Sequence, residues 1–265
     1  MRRVLAWFAC LALAACANGY SQFYTPAPAA SLAQLDRFEG VPTVIESTGD
    51  LEGDIGAMFT RGYGALGFSN FNGPTESVAG AVAQGKSVGA QYVVVSRQFA
   101  RTVQGSIPMT TFAPQTTYTN GTVNAFGPGG SATGNYSGTS TTYTQQTTYI
   151  PFTIDRYDQK ALYFGPIARK GVGILVSEID PRNAQRLGTQ KGVIVRAVRR
   201  GSPAFNADIL PGDVLMDVAG QTVFDQEMAF ARLRAAYGTD VVVTILRAGQ
   251  QLQKTLSLPP DGVWL

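Results

Sequence analysis

A chain of 265 residues, 45% hydrophobic and 15% charged, is long enough for two ordinary domains of about 100 to 200 residues and apolar enough to bury a core. It contains no histidine, so Ser-His-Asp and Cys-His catalysis lack their base, and with only Cys10 and Cys16 there is no ordinary zinc site; carboxylate-only metal sites and Ser-Lys dyads stay open. The formal charge of +3 includes Arg2 and Arg3; without them 19 Lys and Arg face 18 Asp and Glu, a net of +1, which makes no electrostatic case for nucleic acid.

In chain order, the first element is an export signal over residues 1–15. Arg2 and Arg3 precede an apolar run from Val4 to Ala15 that is too short to span a bilayer and ends in small residues. Leu13-Ala14-Ala15-Cys16 resembles the bacterial lipobox, which implies that Cys16 becomes the acylated first residue and anchors the chain to a membrane. Ala17 rather than Asp follows it, which by that resemblance favours the outer membrane, facing the periplasm. With Cys10 removed in the signal, no intrachain disulfide remains. Residues 16–38, polar and proline-bearing, read as a tether.

From 39 to 166 we expect an N-terminal α/β-like domain. "VPTVIES" reads as a strand, and Leu51, Ile55, Met58 and Phe59 follow at helical spacing behind Asp50 as N-cap. "YGALGFSNF" is strand-like, Val78, Ala81, Val82 and Val88 share one helix face, and "QYVVVSRQF" is a buried strand. Gly62, Gly64 and Gly67 have dinucleotide-loop spacing, but a helix precedes them and strand-like residues follow, the reverse of what phosphate binding needs; no cofactor is expected. Between Arg101 and Asp155 no residue is charged. Phe112 and Tyr118, like Tyr143 and Tyr149, are six apart and fall on one strand face, and Asn120-Gly121 is a hairpin-type turn. Residues 102–150 therefore read as a Thr/Tyr-rich β-hairpin extension with a loose glycine-rich middle, or else as a disordered polar linker.

From 167 to 258 the signals sharpen, with a tail at 259–265. "KGVIVRAV" is a strand, Ser202-Pro203 opens a short helix, Pro211-Gly212 turns into "DVLMDV", a longer helix runs from about Asp225 to Tyr237 and is ended by Gly238, and "DVVVTILRAG" with "QQLQKTLSL" closes a hairpin. Gly201-Ser202-Pro203-Ala204, followed by Gly212-Asp213, is similar to a PDZ domain of the bacterial HtrA type, a β-rich partly open barrel with two helices; Asp208 stands where that family has glycine. The fold class expected for the chain is α+β.

The resemblance implies that Lys170, Gly171, Val172, Gly173 and Ile174 form the loop that receives a terminal carboxylate, and that the strand edge beyond it accepts an extended peptide. Ile174 and Val176 are candidates for the apolar pocket or for the core. Met228 and Arg232, one turn apart, are the candidates for the groove helix, while Phe230, Leu233 and Tyr237 read as core. The expected function is a membrane-anchored, non-catalytic adaptor for protein C-termini or extended peptides. The alternative is an envelope structural protein that works through its hairpin, its PDZ domain acting intramolecularly. A tail-specific protease would need a catalytic domain after Leu258, where seven residues stand, so no enzyme is expected. Val263-Trp264-Leu265 is itself shaped like a ligand of such a groove, which offers a route to self-association.

Overall fold

The computed structural model describes residues 18–168 and 171–260; Cys16, Lys170 and the Val263-Trp264-Leu265 end lie outside the described residues. The chain divides into two compact units, residues 1–100 with 157–265, and residues 101–156. The first unit is built on two sheets.

The segment expected to be a tether is folded instead. It forms α1 (Gly19–Gln22), β1 (Tyr24–Pro26) and α2 (Ala29–Leu32). Tyr20 is buried edge-on against Phe71, and Tyr24 donates its hydroxyl proton to the Leu66 carbonyl at 2.8 Å. Tyr20, Tyr24, Leu32 and Leu35 anchor the segment and outweigh a linker-like composition, since burying a large side chain yields about 1.5–3 kcal/mol.

Next come β2 (Thr43–Glu46), α3 (Leu51–Thr60), β3 (Tyr63–Gly73), α4 (Val78–Val88), β4 (Tyr92–Gly127) and β5 (Gly130–Pro166). Their sheet order is β1-β3-β5-β4-β2, with β2 parallel to β4 and β1 and β5 antiparallel to β3. Both faces are covered, which is why "YVVV" and "ALYF" read as unbroken apolar runs. Val93, Ala161 and Tyr163 pack with Ala81 of α4 and with Tyr20, while Val94, Leu162 and Phe164 pack with Met58 of α3. Asp50 caps α3 by accepting from the Glu52 N–H, as its sequence predicts. Gly64 and Gly67 lie inside β3, and Gly67 sits at a bulge where a Cβ would come 2.5 Å from the Thr25 carbonyl oxygen. The glycine spacing thus reflects close backbone approach.

The second unit consists of the distal parts of β4 and β5 joined by a two-residue turn at Pro128-Gly129. Thr110 faces Thr147, Thr116 faces Thr141 and Thr122 faces Asn135, so the register holds without slippage. Asn120-Gly121 is not a turn: both residues lie within β4, and the Tyr136 ring covers Gly121 from the opposite strand. A side chain across the pair supplies what that glycine lacks.

The C-terminal sheet follows. Its elements are β6 (Ile174–Ser177), α5 (Pro181–Leu187), β7 (Val193–Val198), α6 (Pro203–Asn206), β8 (Val214–Val218), β9 (Gln221–Thr222), α7 (Gln226–Ala235), β10 (Asp240–Arg247) and β11 (Gln250–Ser257). The order is β11-β10-β8-β7-β6, with β9 paired to β8. Expectation and structure differ at α5, a third helix; its signals are Asp180 as N-cap, Pro181 at the first position and Gly188 left-handed at the end. Val193, Val195, Leu215, Val243, Ile245 and Leu233 are central to its core. Asp208 takes the left-handed conformation in place of glycine, with φ of 56°.

Candidate functional site

The site is the cleft between β6 and α7. β6 stands at the end of its sheet order, and among the described residues it pairs with β7 alone, so its outer edge is available to an added strand. The loop that enters β6 is held from behind. The Gly173 carbonyl accepts from the Arg199 N–H at 2.9 Å and the Val172 carbonyl from the Ala204 N–H at 3.1 Å. Gly173 has φ of +80°, and a Cβ there would stand 2.1 Å from the Ser202 Cβ. The Ser202 hydroxyl accepts from the Phe205 N–H, which caps α6. The Gly-Ser-Pro-Ala motif therefore braces the glycine loop.

Behind this loop stand Arg199, which the sequence reading does not single out, and Tyr237, which it places in the core. The Arg199 guanidinium, buried, donates to the Gly171 carbonyl at 3.1 Å, and loss of solvent lowers its pKa. Tyr237, just beyond α7, packs half-buried against the domain core. Burial pushes its hydroxyl above its ordinary pKa of 10, against the pull of the Val172 N–H and the Arg199 charge. A buried cation thus stands behind the loop expected to receive a ligand. The doubled arginine before Gly201 was the available signal.

The apolar wall is formed by Ile174 and Val176, both also part of the core, with Leu175 beside them and Gln226 and Phe230 on the helix side. On and just beyond α7, Phe230, Leu233 and Tyr237 belong to or pack against the core, as their shared face predicts. Phe230 packs on the core as expected and also borders the cleft, whereas the Arg232 guanidinium donates to the Thr222 carbonyl; Met228 and Arg232 are not among the residues that border the cavity. Leu233 is fully buried, as expected of a core position. At the far end, Glu178 accepts from the Gln226 N–H at 3.0 Å, tying the end of β6 to the start of α7.

The cleft is also walled by the N-terminal half of the chain. Ala27, Pro28, Ser31 and Leu35 border it together with Ile55, Phe59 and Tyr63, leaving a cavity of about 270 Å³. That lies just below the roughly 300–1,000 Å³ of small-molecule sites. The N-terminal half is fixed in place through α3: Gly56 lies against Ala197 of β7, and the Thr60 carbonyl accepts from the Arg200 N–H at 3.2 Å. Among the described residues no group of three or more His, Cys, Asp or Glu side chains is placed to hold a metal.

Residues 171–258 match the PDZ domain family. The chain is 30% identical over 104 residues to a probable periplasmic serine endoprotease DegP-like of Halomonas elongata, covering 38% of this chain and 21% of that protein. It is 35% identical over 86 residues to the magnetosome formation protease MamE of Magnetospirillum gryphiswaldense, covering 30% of this chain and 11% of that one. Among solved structures, the HtrA3 PDZ domain bound to a phage-derived ligand (FGRWV) aligns at 19% identity and a TM-score of 0.31, over 34% of this chain and 84% of that one. The HtrA-type protease AlgW with decapeptide aligns at 24% identity and a TM-score of 0.30, over 37% and 36%. The chain thus spans about a fifth or less of the length of these curated relatives. Residues 171–258 of this chain are a PDZ domain similar to those of periplasmic HtrA-type proteases.

Proposed function

We propose that this chain is a lipid-anchored, non-catalytic adaptor of the bacterial envelope whose PDZ cleft takes the C-termini of other proteins by strand addition. The observation that carries the reading is the free edge of β6, beginning at a left-handed glycine and flanked by an apolar wall of Ile174, Val176 and Phe230. A carboxylate at the loop gains from the Arg199 charge behind it. Two solved relatives are described as holding a peptide or phage-derived ligand, in keeping with this reading.

The cavity is small, so the proposal includes a size limit. The last one or two side chains of a ligand fit as the site stands, and a longer extended peptide requires the segment from Ala27 to Leu35 to yield. That same wall favours a second reading, in which the N-terminal half is the cleft's own resident and the PDZ domain acts intramolecularly.

Anchoring rests on Cys16 within its lipobox. Because Asn18, two residues later, already caps α1, acylation places the folded body against the lipid surface rather than on a long leash. Among the described residues no helix is long and apolar enough to cross a membrane. The absence of histidine, which removes the base of Ser-His-Asp and Cys-His catalysis, supports the non-catalytic part of the proposal.

Titration with short C-terminal peptides tests the binding claim. The free acid is expected to bind at least about tenfold more tightly than the amide, a difference of about 1.4 kcal/mol, and Phe230→Ala to weaken binding to a similar degree. Equal binding of acid and amide, or none, overturns it, and tight binding only after loosening of the Ala27–Leu35 segment turns the balance to the intramolecular reading. Radiolabelled palmitate is expected to enter the wild-type chain and not Cys16→Ser.

A further inference from the structure

We propose that residues 101–156 are a self-assembly module, in which the β4 edge of one copy pairs with the β5 edge of the next. The proposal stands on this unit alone and is independent of the PDZ reading. A two-stranded hairpin is marginal in water, because it has no second layer and two open edges. Here Phe112, Tyr118, Phe126, Tyr143 and Tyr149 are all exposed, Tyr118 at 80% and Phe126 at 84%. No charge lies between Arg101 and Asp155 to keep another strand away.

The pattern of prolines shows which part of the edge is meant to pair. A two-residue loop at Pro128-Gly129 makes residues 127 and 130 a bonded pair, so odd residues of β4 bond inward and even ones point their backbone groups outward. The side chains agree: Thr110 and Thr116 meet Thr147 and Thr141 hydroxyl to hydroxyl, as the closer, non-bonded pairs do. Pro108 and Pro114 are both outward, as is Pro151 on β5. They remove donors from the open edge without costing the hairpin a bond, a known way to blunt an edge. The blunting stops there. From Thr116 to Phe126 on β4, and from Ser131 to Tyr149 on β5, neither proline nor charge interrupts the edge.

The occupant is identified by length and composition. An edge this long is satisfied along its course only by a strand of similar length, whereas the strands confined to the first unit run from 2 to 11 residues. A copy of the same hairpin has both the length and an equal lack of charge. Pairing β4 of one copy with β5 of the next is head to tail, and with a rotation between copies that closes, repetition gives a ring that leaves no edge.

The test uses the full-length chain in mild detergent. Analytical ultracentrifugation is expected to show a discrete oligomer, and the double variant Asn120→Pro/Asn124→Pro, both outward positions, to sediment as a monomer with its strand signal in circular dichroism retained. Replacing Thr102–Ile154 by three glycines is expected to give the same monomer. A wild-type monomer at about 50 micromolar, or an oligomer that survives either change, overturns the proposal. A monomer whose hairpin gains protease protection from phosphatidylethanolamine and phosphatidylglycerol vesicles assigns the surface to lipid and overturns it as well.

Discussion

Gly173→Ala is expected to destabilise the C-terminal domain by about 2–5 kcal/mol and to abolish peptide binding, the largest effect of any single methyl group in the site. Two causes add. The residue has φ of +80°, where a side chain costs about 1–2 kcal/mol. The new Cβ would also stand 2.1 Å from the Ser202 Cβ and 2.3 Å from its Oγ, and that overpacking contributes about 1–3 kcal/mol more. Ser202 is fully buried and caps α6, so it has nowhere to retreat. The causes separate in the pair Gly173→Ala/Ser202→Gly, because glycine as N-cap costs only a few tenths of a kcal/mol. Urea midpoints should show the pair recovering the overpacking share and keeping the left-handed penalty. A pair no more stable than Gly173→Ala alone refutes the Ser202 contact as the source. It follows that a bulky replacement such as Gly173→Glu reports unfolding rather than groove chemistry, and that Phe230 is the cleaner probe of binding.

The PDZ domain was legible because its turns are punctuated chemically. Ser202-Pro203, the left-handed Asp208 and Gly238 each mark a place where backbone geometry admits few residues, and the structure has a helix start, φ of 56° and φ of 83° there. Side-chain direction was less legible. On α7, Ala229 and Leu233 point to the core while Phe230, one step round the helix, reaches the cleft, and a single apolar stripe cannot separate those directions. Arg232 looked available until its donation to the Thr222 carbonyl was visible, a contact between residues ten apart that no periodicity encodes. In the N-terminal half, composition misled: the stretch rich in Pro, Ala and Ser that suggested a leash holds Tyr20, Tyr24, Leu32 and Leu35, which pack with Phe71, Leu66 and Tyr163. Asn120-Gly121 has turn chemistry, yet the cross-strand register continues past it to Pro128-Gly129. Local propensity of a few tenths of a kcal/mol yields there to pairing over the rest of the strand.

Removing the guanidinium of Arg247 is the second large perturbation, and neither it nor its partners Asp208 and Asp213 border the cleft. Asp213 is fully buried at the start of β8, and Arg247 of β10 grips it with both arms of its fork, Nε to Oδ1 at 2.7 Å and Nη2 to Oδ2 at 2.8 Å. The same Nη2 donates to the Asp208 carbonyl, and Asp213 accepts from the Leu210 N–H, so one arginine closes the turn between α6 and β8. Arg247→Met leaves a buried carboxylate without its cation and is expected to cost about 3–5 kcal/mol; Arg247→Met/Asp213→Leu is expected to cost clearly less than the sum of its single changes, since neither charge is then stranded. The acid limb supplies a second readout. Hydrogen bonds from Lys254 and Arg247 hold the exposed Asp208 carboxyl below its usual 3.8, so its contribution is fully present above that value and is lost as pH falls through the lower, folded one. Without Arg247 one of the two cations is gone, and the loss of stability below about pH 4 becomes shallower. Additive single and double variants, or an acid limb unchanged in Arg247→Met, contradict this account. Peptide affinity of the folded fraction is expected to stay at the wild-type level, because Asp213 and Arg247 do not border the cleft and bind each other at the turn into β8.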